Sequence, residues 1–412
     1  RGLWGGVVIL GNGRINRPDS EASGSGQNPD ESFYQLYEGL NDLTDEGTGQ
    51  PLHRFGGNDN TDDSGALRYV SIRYSGKPLS ANKELNGLSL AGVGSGTTVE
   101  FVEVYANADD GFEFWGGAVN TRYLVSAYNS DEMFDMDQGH EGKHQFWFGM
   151  QAITGDEGME LNGQPSGDSN VNTPGAQPLG AHQIYNVTLI GEGGAGSGSD
   201  ALNTRSEYFG SIHNSVIMEF QGRDQVSSVP NYNGMVTHNQ FFNNVGGNGI
   251  VDLVENAFGD PLLGAIDREQ NGLLDPRPAA GSPVFTGFKT PPTDGYFIHA
   301  PYKGAVRDAV WLQDWTALSD NMHLVPVRNV IVVEFPATAI DTTIVFGSAG
   351  NTLQMSVATE TGKSYQLLST MDLGADPIAW VPEGTPVAGD GTVKNFDQTI
   401  GVGDKYFRIQ VD

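Results

Sequence analysis

One acidic phrase, written three times, constrains this chain more than any other feature. It reads Asp109-Asp110-Gly111-Phe112-Glu113-Phe114, then Asp131-Glu132-Met133-Phe134-Asp135-Met136, then Asp156-Glu157-Gly158-Met159-Glu160-Leu161. The copies start 22 and 25 positions apart, a period that implies a solenoid of stacked coils. Neighbouring side chains in a strand point to opposite sides. If Phe112, Phe114, Phe134, Met136, Met159 and Leu161 enter a core, Glu113, Asp135 and Glu160 must leave it. Stacking then sets these three acids in one solvent-facing row, at the strand spacing of about 4.8 Å.

Like charges that close repel by about 1 kcal/mol in water and by several near a protein surface. A cation, a proton held on one carboxyl or basic neighbours must offset this. Between Asp109 and Gly163 eleven acids face only Arg122 and Lys143, too few basic neighbours. A hard cation such as calcium, which takes about six to eight oxygen ligands, is the leading expectation. Its ligands would be Glu113, Asp135 and Glu160, with Asp109, Asp131 or Asp137 at the edges. The bland alternative is a solvated acidic face.

The rest of the chain agrees with a coil architecture. Strand phrases such as Tyr69-Val70-Ser71-Ile72, Phe101-Val102-Glu103-Val104, Tyr123-Leu124-Val125-Ser126, Gln145-Phe146-Trp147-Phe148, Tyr185-Asn186-Val187-Thr188 and Ile212-His213-Asn214-Ser215 recur, mostly 22 to 32 positions apart. Asn107, Asn129, Asn214 and Asn243 are expected to stack at turns, where Asn tolerates left-handed geometry. Helical periodicity is nearly absent, and 57 glycines fit a turn-rich all-β protein. The reading is a parallel β-helix over residues 1–324, with acidic loop insertions at 17–66 and 162–181. From about Val325 short strands with tight turns, among them Val330 to Phe335 and Lys405 to Val411, suit a small antiparallel β-sandwich over 325–412. Capping the last coil is its expected role, with carbohydrate contact or docking as alternatives.

Composition narrows the partners. A net charge of −29 argues against nucleic acid and anionic membranes. Cysteine is absent, so no disulfide or thiol serves the fold. No apolar run approaches the ~20 residues of a transmembrane segment. The chain opens at Arg1 and reads as a mature or trimmed form.

Several phrases resemble a family of secreted or surface-attached bacterial right-handed parallel β-helix proteins. They are the opening Arg1-Gly2-Leu3-Trp4-Gly5-Gly6-Val7-Val8-Ile9-Leu10-Gly11-Asn12, Asn86-Gly87-Leu88-Ser89-Leu90-Ala91-Gly92, Asp109-Asp110-Gly111-Phe112-Glu113-Phe114 and the exit phrase Asp275-Pro276-Arg277-Pro278-Ala279-Ala280-Gly281-Ser282-Pro283. Trp311 to Leu318 is similar to the family's closing segment. The resemblance covers roughly residues 1–320 and implies the fold and a secreted, extracellular or outer-surface location. It carries over no catalytic residue.

Two functions fit. The leading one is a calcium-stabilised surface protein with a structural, adhesive or glycan-binding role toward a polysaccharide or other matrix component. The alternative is a polysaccharide lyase or glycoside hydrolase working on Glu113, Asp135 and Glu160, with His140 or Lys143 as proton carriers. Retaining glycosidases hold two carboxyls about 5 Å apart and inverting ones about 6.5–9.5 Å; adjacent and alternate coils supply both. A lyase needs a basic residue beside the metal, for which Arg122, Lys143 and Arg205 are the near candidates. Trp115, Trp147 and Arg122 are candidate sugar contacts, although large aromatics in strand phrases are more often core. A second calcium loop is suggested by Asp267, Glu269, Asn271 and Asp275, which place oxygens at alternate positions around Gly272 but lack the twelfth-position Glu. The acidic loop Asp59 to Asp63 is comparable. Gly191-Glu192-Gly193-Gly194-Ala195-Gly196 matches a dinucleotide fingerprint only literally, without a following helix. The sequence sets no oligomeric state.

Overall fold

The computed structural model describes all residues except 17–25, 31, 41–42, 80–84, 164–176, 197, 206–207, 228–234, 309, 326–341, 347–351, 371–379, 400–405 and 412. The chain divides into two compact units, Arg1–Val325 and Pro326–Asp412.

The first unit is a parallel β-helix. One wall is a six-stranded parallel sheet of Val7–Leu10, Leu88–Ala91, Phe112–Trp115, Phe134–Asp137, Met159–Asn162 and Leu202–Arg205. The alternating phrases form it because their apolar residues have somewhere to go. Phe112, Phe114, Phe134, Met136, Met159 and Leu161 all lie at 0% exposure in the interior. There Phe112 stacks on Phe134 at 5.5 Å. Each such side chain contributes about 1.5–3 kcal/mol on burial.

The opposite wall is a twelve-stranded sheet bent along a column of left-handed residues. Tyr69, Phe101, Tyr123, Phe146, Asn186, Asn214 and His238 occupy equivalent places in successive coils, with φ between 54° and 63°. Aromatic residues rarely adopt this conformation. Here stacking offsets its cost: the Tyr69, Phe101, Tyr123 and Phe146 rings follow one another at 4.6, 4.4 and 5.1 Å. Asn214 and Asn243 are left-handed as expected. Asn107 and Asn129 are not among the left-handed residues and work through their amides instead, Asn129 Oδ1 accepting from Asn107 N at 2.8 Å.

Two segments cover the outside. The described part of the 17–66 insertion lies on the six-stranded sheet, where Ile15, Tyr37 and Phe55 form a second apolar core with Ala91 and Trp115. Residues 289–308 and 310–323 run along the twelve-stranded sheet. Lys289 N bonds Asn214 Oδ1 at 2.7 Å, Ile298 N bonds Gln145 Oε1 at 2.8 Å, and Asp320 pairs with Arg73 at 2.8 Å. Buried Glu103 receives Ala317 N on both carboxylate oxygens, at 2.9 and 2.7 Å, at the start of the short helix Ala317–Asp320, which Thr316 caps.

The second unit contains two three-stranded antiparallel sheets. One orders Thr342–Phe346, Thr352–Ala358 and Val393–Thr399; the other orders Val381–Ala388, Ser364–Thr370 and Tyr406–Val411. The strand expected over Val330 to Phe335 falls outside the described residues, as does most of the 162–181 insertion.

Candidate functional site: two stacked acidic rows

Parallel register brings the repeated acids together. Asp135 pairs with Glu113 on one side and Glu160 on the other, and the row is ended by Ser89 and Asn203. A second row lies three residues earlier in each phrase: Asp110, Glu132 and Glu157. Backbone bonds stack its members, Gly111 N to Glu132 O at 2.9 Å and Met133 N to Glu157 O at 3.4 Å. Carboxylate oxygens converge within 4.8 Å in three groups: Asp110, Glu113 and Asp135; Asp110, Asp131 and Glu132; Glu132, Glu157 and Glu160. Asp110, Glu132 and Glu157 were not in the sequence-based ligand set. The signal for them is the doublet itself, whose second acid falls in the same register as the first row.

The expectation that the row faces solvent needs correction. The acids do point away from the main core, but only Asp135 and Glu160 keep partial exposure, while Glu113 is buried at 7% exposed. The insertion covers this face, and the Tyr37 hydroxyl meets Ser89 Oγ, next in the row, at 2.7 Å. Burial first, then the charges of Asp135, Glu38, Asp109 and Asp137, hold the Glu113 carboxyl well above the usual carboxylate range. Burial likewise raises Asp110, with the neighbouring Glu132 charge next. Burial also raises Asp135, with Asp137 adding to the shift and Arg205 opposing it. Carboxylate oxygens of Asp110 and Glu132, and of Glu132 and Glu157, lie within 4.8 Å of each other, and burial raises all three groups.

Each end of the double row carries a buried asparagine. Asn86, 3% exposed, donates Nδ2 to Glu113 Oε2; Asn203, 7% exposed, donates Nδ2 to Glu157 Oε1 at 3.0 Å. The amide oxygens of both, and Asp135 Oδ1, are buried without a protein partner. Such orphaned acceptors are costly, and oxygens of this kind are what a hard cation takes as ligands. Arg205 sits at the Glu160 end, bonded to Glu160 Oε1 and, through Nε, to Asn162 Oδ1 at 3.0 Å. At the other end Arg205 acts only through its charge, on Asp135, and no salt bridge among the described residues reaches Asp110, Glu113 or Asp135. Asp109 lies close enough to raise Glu113 but is not in a convergent group.

The other sequence candidates lie elsewhere. Trp147 is in the interior at 0% exposure, 4.4 Å from the Phe134 ring, so it touches no sugar. Trp115 is outward but covered, with Tyr37 at 4.8 Å and Phe55 at 5.6 Å. Arg122 belongs to the twelve-stranded sheet, paired with Glu100 at 3.6 Å and lying over the Tyr296 ring. Lys143, on the same sheet, pairs with Asp294 at 2.6 Å. His140 is 1% exposed. Its Nδ1 reaches Gly116 O at 2.7 Å and its Nε2 reaches His144 Nε2 at 3.0 Å, while His144 Nδ1 meets Thr121 Oγ1 at 2.9 Å. The carbonyl fixes the proton on His140 Nδ1, so His144 Nε2–H donates to it and Thr121 donates to His144. Burial lowers His140 to about 4; it is a neutral structural residue.

The Asp267 loop does not converge as a metal site. Asp267 accepts Glu269 N at 2.8 Å and Asn271 Nδ2 at 3.0 Å, and Asp275 is clamped by Arg277 at 2.7 Å from both nitrogens. Within the Asp59 to Asp63 loop, Asp59 closes a turn on Thr61 N at 2.9 Å and Asp62 accepts from Asn12 at 3.0 Å.

A family model for the pectate-lyase-like β-helix domain matches residues 1–257. No curated protein and no solved structure matches the chain. The matched residues contain the six-stranded sheet and both acidic rows, and this chain is a member of the pectate-lyase-like β-helix family.

Proposed function

We propose that the protein is a secreted or surface-attached, calcium-stabilised β-helix that binds polysaccharide, and that its acidic rows hold the ion rather than cleave a sugar chain. The family relation supports a polysaccharide-related role. The observation that carries the reading is the pairing of convergent, buried carboxylates with orphaned amide oxygens. Asp110, Glu113 and Asp135, with the Asn86 amide oxygen, are the oxygen donor set; Asp131 and Glu132 lie beside it. Calcium bound there would neutralise the stacked charges and fasten the insertion to the solenoid.

Burial of Glu113 beneath the insertion favours an enclosed ion over a catalytic one. A lyase or hydrolase at this row needs access for a sugar chain and a proton carrier in reach; Lys143 is committed to Asp294, His140 is enclosed, and Arg205, the sequence candidate that does reach the row, is held by Glu160 and Asn162. Metal binding and thermal unfolding measured in calcium and in chelator, with a screen of neutral and anionic polysaccharides for binding and for product release, test the proposal. Unchanged melting in chelator removes the ion; product release lost in Glu113→Gln and Asp135→Asn establishes the enzyme instead.

A further inference from the structure

A cleft of about 330 Å³ opens between the insertion and the corner of the first coils. Its floor is fixed by backbone bonds between coils: Gly57 N to Gly13 O at 3.0 Å, Gly117 N to Arg14 O at 2.7 Å and Glu141 N to Gly117 O at 2.9 Å. Asn60 orients two lining residues at once. Its Oδ1 accepts Arg14 N at 2.7 Å, and its Nδ2 donates to Glu141 Oε2 at 3.1 Å. Asp30, also in the lining, is held by Ser32 Oγ at 2.6 Å and by the Asn58 amide. Ile15 and Phe33 supply apolar surface. Glu141 Oε1 and the Arg14 guanidinium make no hydrogen bond to a described residue.

We infer that this cleft is a subsite for a neutral sugar residue of a polysaccharide. A sugar ring offers hydroxyls that both donate and accept, and a C–H face that packs on an aromatic ring. The cleft matches both, with Glu141 and Asp30 as acceptors, Arg14 and Asn58 as donors, and Phe33 as the apolar face. At about 330 Å³ the cleft reaches the size at which small-ligand sites start, about 300 Å³. An acidic sugar fits poorly, because two carboxylates line the cleft against one arginine and the chain carries a net charge of −29. The inference rests on the polysaccharide-binding reading and adds its place and its sugar class.

The test is calorimetric titration of the full chain, in calcium, with neutral oligosaccharides (glucan, mannan and xylan fragments) and with oligogalacturonate. Glu141→Gln, Arg14→Ala and Asn58→Ala are compared with wild type, and thermal melting checks that each folds. Glu141→Gln keeps the atom that Asn60 bonds, so it guards against a variant that merely unfolds. Expected are binding of a neutral fragment, a loss of tenfold or more in each variant, and no binding of oligogalacturonate. Neutral binding that survives all three substitutions overturns the cleft while leaving the polysaccharide reading in place. Oligogalacturonate binding that depends on Arg14 overturns the sugar class. Failure of every oligosaccharide to bind wild type overturns both.

Discussion

Glu113→Gln has opposite expected effects with and without calcium. In chelator, at a pH high enough for the row to be ionised, the substitution removes one of the stacked charges. Two carboxylates one strand apart, about 4.8 Å, repel by about 3.5 kcal/mol at an effective dielectric of about 20, and Glu113 faces Asp135 at that spacing. Removing the charge therefore raises stability by up to about 3 kcal/mol, or several degrees in apparent melting temperature. In calcium the same change deletes a ligand. A site of about micromolar affinity in about 1 mM calcium contributes about 4 kcal/mol, and the variant forfeits most of it. Differential scanning fluorimetry of both proteins, in calcium and in EGTA, reads the two effects directly. The variant is expected to melt higher than wild type in EGTA and lower in calcium. Equal destabilisation in both conditions would refute the electrostatic reasoning and leave Glu113 as a simple packing residue.

Three further outcomes follow from the same geometry. Carboxyls raised in the folded state, such as Glu113 and Asp135, stabilise below their unfolded values, and that stability is lost as pH rises through the folded ones. Stability in EGTA should therefore fall as pH rises above the range in which unfolded histidine titrates, where the opposing contribution of His140, lowered to about 4, is already complete; melting curves that are flat or rising there would contradict the burial of charge. Arg205→Gln, which strips the counter-charge from Glu160, should widen the melting difference between calcium and EGTA, and an unchanged difference would show that Arg205 neutralises nothing. Glu103→Gln weakens the double anchor on Ala317 N by about 1.5–3 kcal/mol; hydrogen exchange at that amide should accelerate, and unaltered protection would place the anchor elsewhere.

What the sequence disclosed, and what it hid, divides along contact distance. The row of Glu113, Asp135 and Glu160 was legible because alternation fixes its face and a regular repeat fixes its register. The same alternation put Trp115 outside correctly but could not show Tyr37 and Phe55 docking on it from an insertion. That docking also covered the Glu113 end of the row. For Trp147 the core alternative held over the sugar contact; its face was not legible because Phe146 is left-handed at φ 60°, which breaks the strand and resets which side chains face in. Aromatics in left-handed backbone are a signal that propensity cannot supply, since only the stack in successive coils stabilises them. Asp110, Glu132 and Glu157 were within reach, because the acid doublets repeat in register with the first row.

The account stands or falls on whether an ion occupies the rows. The most direct measurement is a crystal structure grown in calcium, with anomalous data collected at long wavelength. A peak is expected about 2.3–2.6 Å from carboxylate oxygens of Asp110, Glu113 and Asp135, with the Asn86 amide oxygen turned toward it. Density for water alone between those carboxylates, or a calcium peak only at other residues, would contradict it.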